Sequence, residues 1–169
     1  MDLVLLLLRL LHILAGVFWA GTIFFVASLL LPAVREAGPE GNRVLLALQR
    51  RRFLDLMPVV AGVTIVTGFW LYIRSAGIPE WAGSRVGMAL GLGGVLGVVA
   101  FAIGVGLMRP ATLRAGSLAA GLPEMPDGPA RVERAAEILR LRQRAAGAGR
   151  VVALLLGVTT ALMAVARYL

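Results

Sequence analysis

Four apolar stretches limit what this chain can fold into. They cover roughly residues 4–31, 59–73, 86–108 and 151–166, and arginine-rich segments separate them. A helix crosses the hydrocarbon core of a bilayer with about 20 apolar residues. The whole chain is 59% hydrophobic with a mean hydropathy of +0.88, and a water-soluble domain of this length needs far more polar surface. The pattern predicts an all-α fold: an integral membrane four-helix bundle with cytoplasmic helical extensions. It reads as a single four-span domain over residues 1–169, because the longest segment between spans, 109–150, is short and rich in Gly, Pro and Arg. The first apolar run is too long for a secretory signal and has no convincing cleavage site, so it reads as a retained span.

Charge sets the expected orientation. The net charge is +8, and every basic residue is an arginine. Arg35, Arg43, Arg50, Arg51 and Arg52 fall in the first connection; Arg109, Arg114, Arg131, Arg134, Arg140, Arg142, Arg144 and Arg150 fall in the third. Only Arg9, Arg74, Arg85 and Arg167 belong to the other side, a split of thirteen against four. Positively charged connections stay in the cytoplasm. Residues 32–58 and 109–150 are therefore expected inside, both termini outside, and the location is the inner (plasma) membrane. Because the arginines flank spans, they point to lipid headgroups rather than to nucleic acid.

The connections carry helical signals of their own. Asp127, Gly128 and Pro129 open a segment in which Val132, Ala135, Ala136, Leu139 and Gln143 share one face, predicting a helix over about 129–144 that can run on into span four. It reads as a solvated connector or as a handle for a partner. Residues 42–54 have the pattern of an amphipathic interfacial helix, Pro58 marks the entry to span two, and Arg109-Pro110 is expected to end span three. Residues 116–128 read as the most mobile segment. Glycines in span three (Gly91, Gly94, Gly97, Gly104, Gly106) and the Ala61-Gly62-Val63 and Gly68 set in span two point to close helix packing.

Several chemistries are excluded. The chain has no cysteine, hence no disulfide, zinc-thiolate or iron–sulfur centre of its own. Without lysine there is no Schiff base. No carboxylate pair lies within a span, and Ser28 is too far from the single histidine for a Ser/His/Asp arrangement. The glycine run 91–97 sits in an apolar span with no lysine beside it and is not a phosphate loop.

His12 is the exception among the apolar residues, and an ionisable side chain in a span is a functional candidate by default. Arg9, Ala15, Gly16 and Trp19 fall on its helix face at offsets of three, four and seven. Ala15 and Gly16 leave a shallow strip on which a flat ring can lie, with Trp19 as an aromatic wall. Haem iron is commonly held by histidine. His12 lies 19 residues before Leu31, which at about 1.5 Å per residue is roughly 28 Å from the inner end, near the outer interface. The same count from Met108 puts Met88 at a similar depth, as a candidate second axial ligand; a second copy's His12 is the alternative. Arg9, Arg74 and Arg85 surround that level and suit the carboxylates of a haem. In the simplest reading, His12 only hydrogen-bonds to a carbonyl or headgroup, the outer Arg, Trp and Tyr residues anchor the interface, and the methionines pack.

The stretch from Leu10 to Gly21, with His12, Trp19 and Gly21, resembles the first-helix pattern Leu-His-x-Leu-x-x-x-x-Trp-x-Gly of small bacterial membrane proteins. These are the copper resistance protein D family, the HemJ-type protoporphyrinogen oxidases and related four-helix proteins. The resemblance covers about the first 35 residues and the helix count, and it implies haem binding at His12. A HemJ-type enzyme is also expected to carry a lysine and a second histidine, and this chain has neither.

Together these readings give a small membrane protein binding haem b for electron transfer or redox sensing, as a homodimer or as a subunit of a membrane complex. The rivals are a non-catalytic scaffold or accessory subunit and a copper-handling protein using His12 and Met88; enzymatic activity is left open. Orientation is tested by cysteine substitution at Ser84 and Ser117. In intact cells, a membrane-impermeant reagent should label position 84 and spare position 117; the reverse pattern refutes the topology.

Overall fold

A computed structural model describes residues 3–77 and 80–169. Among them the chain is helical throughout, with no strand. The helices are α1 (Leu3–Phe25), α2 (Leu31–Glu36), α3 (Gly38–Arg50), α4 (Phe53–Ala76), α5 (Arg85–Ile103), α6 (Arg109–Ala120) and α7 (Pro129–Val165). Single π turns join α1 to α2 (Val26–Leu30) and α5 to α6 (Gly104–Met108). Four continuous helices therefore result, Leu3–Glu36, Phe53–Ala76, Arg85–Ala120 and Pro129–Tyr168, each long and apolar enough to cross a membrane.

These helices are longer than the apolar stretches within them, and three prolines explain how. A proline removes one N–H and pushes its ring against the carbonyl four residues earlier. Pro32 and Pro110 each follow a π turn. There the hydrogen bond reaches back five residues, from the Leu31 N–H to the Val26 carbonyl and from the Arg109 N–H to the Gly104 carbonyl. The wider turn absorbs the proline, and the helix continues. Arg109-Pro110 thus does not end span three. The helix runs on to Ala120, so residues 116–120, expected to be mobile, belong to its last turns.

Pro58 lies inside α4, not at its entry, and is handled differently. It leaves the Leu54 carbonyl without its usual N–H. Arg109 fills the gap from the neighbouring helix: its Nε donates to the Leu54 carbonyl at 3.1 Å, and its Nη2 donates to Asp55 Oδ1 at 2.8 Å. One guanidinium thus ties α4 to the α5–α6 helix.

Packing is most extensive between α5 and α7 and between α1 and α4, with α6 lying along α7. Trp19 and Ile23 of α1, Ala61 of α4, Ala100 of α5 and Val152, Ala153 and Leu156 of α7 form the core. The small residues of α5 serve this packing: a Cβ at Gly93 would stand 3.5 Å from Met163, and Thr159 Oγ1 donates to the Gly93 carbonyl at 3.2 Å. Other enclosed side chains are mostly small, among them Thr64, Thr67, Ala89, Ala111 and Ala115. Of α1, only Trp19 and Ile23 are buried.

The amphipathic segment expected over 42–54 is α3, which begins at Gly38 (φ +57°) and ends before a turn at Arg51 and Arg52. The segment 129–144 is the start of one 37-residue helix, held to α6 by an Arg114–Glu137 ion pair of 2.6 Å. Its buried face is that of Ile138, Ala146 and Gly149, whereas Val132 and Leu139 are 70% and 57% exposed.

Arg109→Met should leave the Leu54 carbonyl unsatisfied and cost about 1–3 kcal/mol, read as a lower Tm in detergent. Asp55→Asn keeps that carbonyl paired and should cost clearly less. Equal losses would assign the stabilisation to the ion pair instead.

Candidate functional site

His12 sits in the seam between α1 and α4, half-buried. Its Nδ1 is 2.8 Å from the Thr64 carbonyl. A carbonyl only accepts, so Nδ1 carries the proton, and in the neutral ring the lone pair is on Nε2. Thr67 supports the arrangement. Its hydroxyl donates to the Val63 carbonyl at 2.7 Å, and its oxygen lies 3.4 Å from Nδ1 as a secondary acceptor. Thr64 turns its own hydroxyl to the Val60 carbonyl at 2.9 Å, which leaves its backbone oxygen to the ring. No other contact fixes Nε2 among the described residues.

The ring reaches the α4 backbone because residue 68 is glycine. A Cβ there would stand 3.0 Å from His12 Nδ1 and only 2.6 Å from Cε1, so the ring would have to shift. The sequence marked Gly68 as a packing glycine but not as the partner of His12. Thr64 and Thr67 were not singled out at all, because backbone carbonyls leave no signature and a threonine in an apolar helix has a routine bond to the preceding turn.

The other candidates are distributed as follows. Gly16 faces Thr64, whose Cγ2 would lie 3.4 Å from a Cβ at that position, so the small strip belongs to the α1–α4 seam. Trp19 is 5% exposed and packs in the core beside Ile23 and Ala61, two turns from His12. Met88 is 56% exposed at the start of α5. Tyr72 Oη donates to the Gly87 carbonyl at 3.3 Å, which sets Met88 level with Tyr72. Tyr72 lies four and eight residues beyond Gly68 and Thr64, so Met88 is about 6–12 Å further toward that end than His12. His12 is thus level with the middle of α4. Arg9 is exposed one turn from His12, Arg74 is exposed in the last turn of α4, and Arg85 is exposed at the first residue of α5.

At that same end, the Ser84 hydroxyl caps α5 by accepting from the Gly87 N–H at 3.1 Å, and Trp81 stacks edge-on to Tyr72 at 5.3 Å. No set of three or more His, Cys, Asp or Glu side chains that could hold a metal ion occurs among the described residues. The chemistry available at His12 is therefore that of one imidazole whose Nδ1–H is held by a backbone carbonyl. No family model, no curated protein and no solved structure matches the chain.

Gly68→Ala should push the imidazole off the Thr64 carbonyl. In 15N spectra the Nδ1–H tautomer signature of wild-type His12 should disappear in this variant and persist in Gly62→Ala, where an added Cβ meets no atom within 4 Å. An unchanged signature in Gly68→Ala would show that the ring is not held there.

Proposed function

We propose that this chain is an integral membrane protein in which His12 serves as an axial ligand to a b-type haem used for electron transfer or redox sensing. The observation that carries the reading is the 2.8 Å bond from His12 Nδ1 to the Thr64 carbonyl. Metal-ligating histidines characteristically donate their other ring N–H to a carbonyl or carboxylate, which fixes the tautomer and raises the basicity of the ligating nitrogen. The arrangement costs Gly68 its side chain and takes up a backbone oxygen in α4, a specific provision for one imidazole.

His12 alone would hold such a group from one side. Arg9, exposed one turn away, is the nearest cation for a carboxylate of the group, with Arg74 next along α4. When bound, the haem supplies one-electron chemistry. The protein's own contribution is to tie Nδ1 to a backbone carbonyl and so orient Nε2. His12 is half-buried, and the pockets beside Trp19 and beside Arg114 are lined by other residues. The group would therefore sit at the surface of the α1–α4 seam and be completed by a second copy, whose own His12 would be the sixth ligand in a homodimer. Met88 serves that purpose less well, since it lies one to two turns away.

A second reading, an accessory subunit of a membrane complex, is favoured by a separate observation. The apolar Val132 and Leu139 on the first half of α7 point outward although the helix buries its opposite face. On the topology set by the arginines, that face lies in the cytoplasm.

Full-length protein expressed with ample haem should show a Soret band. His12→Ala should abolish it while helical content is retained, Arg9→Ala should weaken haem retention, and Met88→Leu should leave a low-spin spectrum unchanged. A colourless wild-type protein that takes up no metal refutes the haem reading and leaves the accessory-subunit one.

A further inference from the structure

The pocket beside Arg114 lies between the α5–α6 helix and α7 and has a volume of about 190 Å³. One water molecule needs roughly 10–15 Å³ on this scale, so the pocket has room for a polyatomic group. Gly106, Leu107 and Ala111 line it from the α5–α6 helix, and Leu141 from α7. It is open because Gly106 has no side chain and Ala111 only a methyl where α6 lies along α7. A Cβ at Gly106 would meet no atom within 4 Å. The remaining part of the wall is cationic: Arg114 of α6 and Arg144 of α7 line the pocket from its two sides.

The two arginines are not fully compensated. Arg114 donates from Nη2 to Glu137 Oε1 at 2.6 Å. Among the described residues that bond commits one of the five N–H donors of its guanidinium. Arg144 forms no ion pair among the described residues. Two cations and one carboxylate leave one net positive charge, which matches a monoanion. Their level along the helices is equally specific. Arg114 stands six residues beyond Met108, and Arg144 seven before Val151. At about 1.5 Å per residue both lie roughly 9–11 Å outside the apolar runs. The headgroup layer extends about 5–8 Å beyond the hydrocarbon on each side, within reach of a long arginine side chain. Gly106 and Leu107, by contrast, belong to the apolar run itself. The pocket therefore straddles the boundary between hydrocarbon and headgroups, and basic pockets between spans on the cytoplasmic side suit anionic lipid headgroups.

We infer that this pocket binds the phosphodiester of an anionic phospholipid, with Arg114 and Arg144 as its cationic partners and its glycerol end against Gly106 and Leu107. Inorganic phosphate would satisfy the arginines but leave the apolar side unfilled. The ammonium of a zwitterionic headgroup would meet the arginines unfavourably. The assignment rests on the membrane reading above but not on haem. A protein that purifies from the soluble fraction without detergent would overturn that membrane reading, and this site with it; a colourless one would leave both untouched.

The test is the thermal stability of delipidated full-length protein in detergent, with dioleoyl-phosphatidylglycerol, dioleoyl-phosphatidylcholine and inorganic phosphate compared at equal concentration. A ligand that binds only the folded state raises Tm. Phosphatidylglycerol should raise it by several degrees more than phosphatidylcholine or inorganic phosphate. The double variant Arg114→Gln/Arg144→Gln should erase that advantage, each variant being read against its own lipid-free Tm. Arg144→Gln alone keeps the Arg114–Glu137 pair and should lose most of it, which covers the case that the double variant does not fold. The control is Arg140→Gln/Arg142→Gln, which removes the same charge from exposed positions of α7 that do not line the pocket. It should keep the wild-type advantage. Equal stabilisation of the wild type by the two lipids overturns the proposal. Equal losses in the two double variants overturn it too, assigning the effect to the general basicity of the segment. An inorganic phosphate effect as large as that of phosphatidylglycerol would make the pocket a free-phosphate site and sink the lipid assignment.

Discussion

Everything in this structure answers to the need to satisfy backbone hydrogen bonds where there is little water to do it. Apolar helices can hold prolines only if the freed carbonyls find other partners. Pro32 and Pro110 are met by π turns that change the ladder locally. Pro58 is met by a side chain from another helix, Arg109, reaching the Leu54 carbonyl. The three solutions have architectural consequences. Two long helices continue where the sequence suggests breaks, and the third proline fixes how α4 stands against the α5–α6 helix.

The histidine obeys the same rule from the other side. A carbonyl within α4 has two lone pairs, and the helix uses one. His12 takes the second at Thr64, and Gly68 clears the space. The polar atom that a ring must satisfy in an apolar seam is thereby paired, and the remaining nitrogen keeps its lone pair. A histidine serving only as helix glue would gain as much from Nε2 pairing as from Nδ1. Here one nitrogen is fixed by a backbone atom and the other is left uncommitted, which is the asymmetry a ligand needs.

Much of the fold was legible because hydropathy and length are strong signals. The four apolar stretches fall on the four long helices, and the segment opened by Pro129 is helical. Proline misled at Arg109-Pro110, since the rule that it ends a helix comes from settings where water can take the freed carbonyl. The periodicity of Val132, Ala135 and Leu139 was equally legible, but periodicity does not say which way a stripe points, and here it points away from α6. At the candidate site His12 could be picked out by its chemistry alone. Its partners could not, because one is a backbone oxygen and another a glycine that matters for what it lacks. The common depth inferred for His12 and Met88 failed because both counts started from the ends of apolar runs rather than from the ends of helices.

Helix α1 shows where these constraints meet. It is the most apolar and least buried of the long helices, enclosing only Trp19 and Ile23. In a bilayer its exposed leucines gain nothing by leaving lipid, so the hydrophobic effect does not hold it in place. What holds it is a short list of specific contacts along one stripe: His12 on Thr64 and Thr67, Gly16 against Thr64, and Trp19 and Ile23 in the core. The residue proposed to bind the cofactor is therefore also one of the few that fix its own helix. Any change in the state of the His12 ring acts directly on the α1–α4 seam, and the same stripe leads to Trp19 in the core about 10 Å away along the helix.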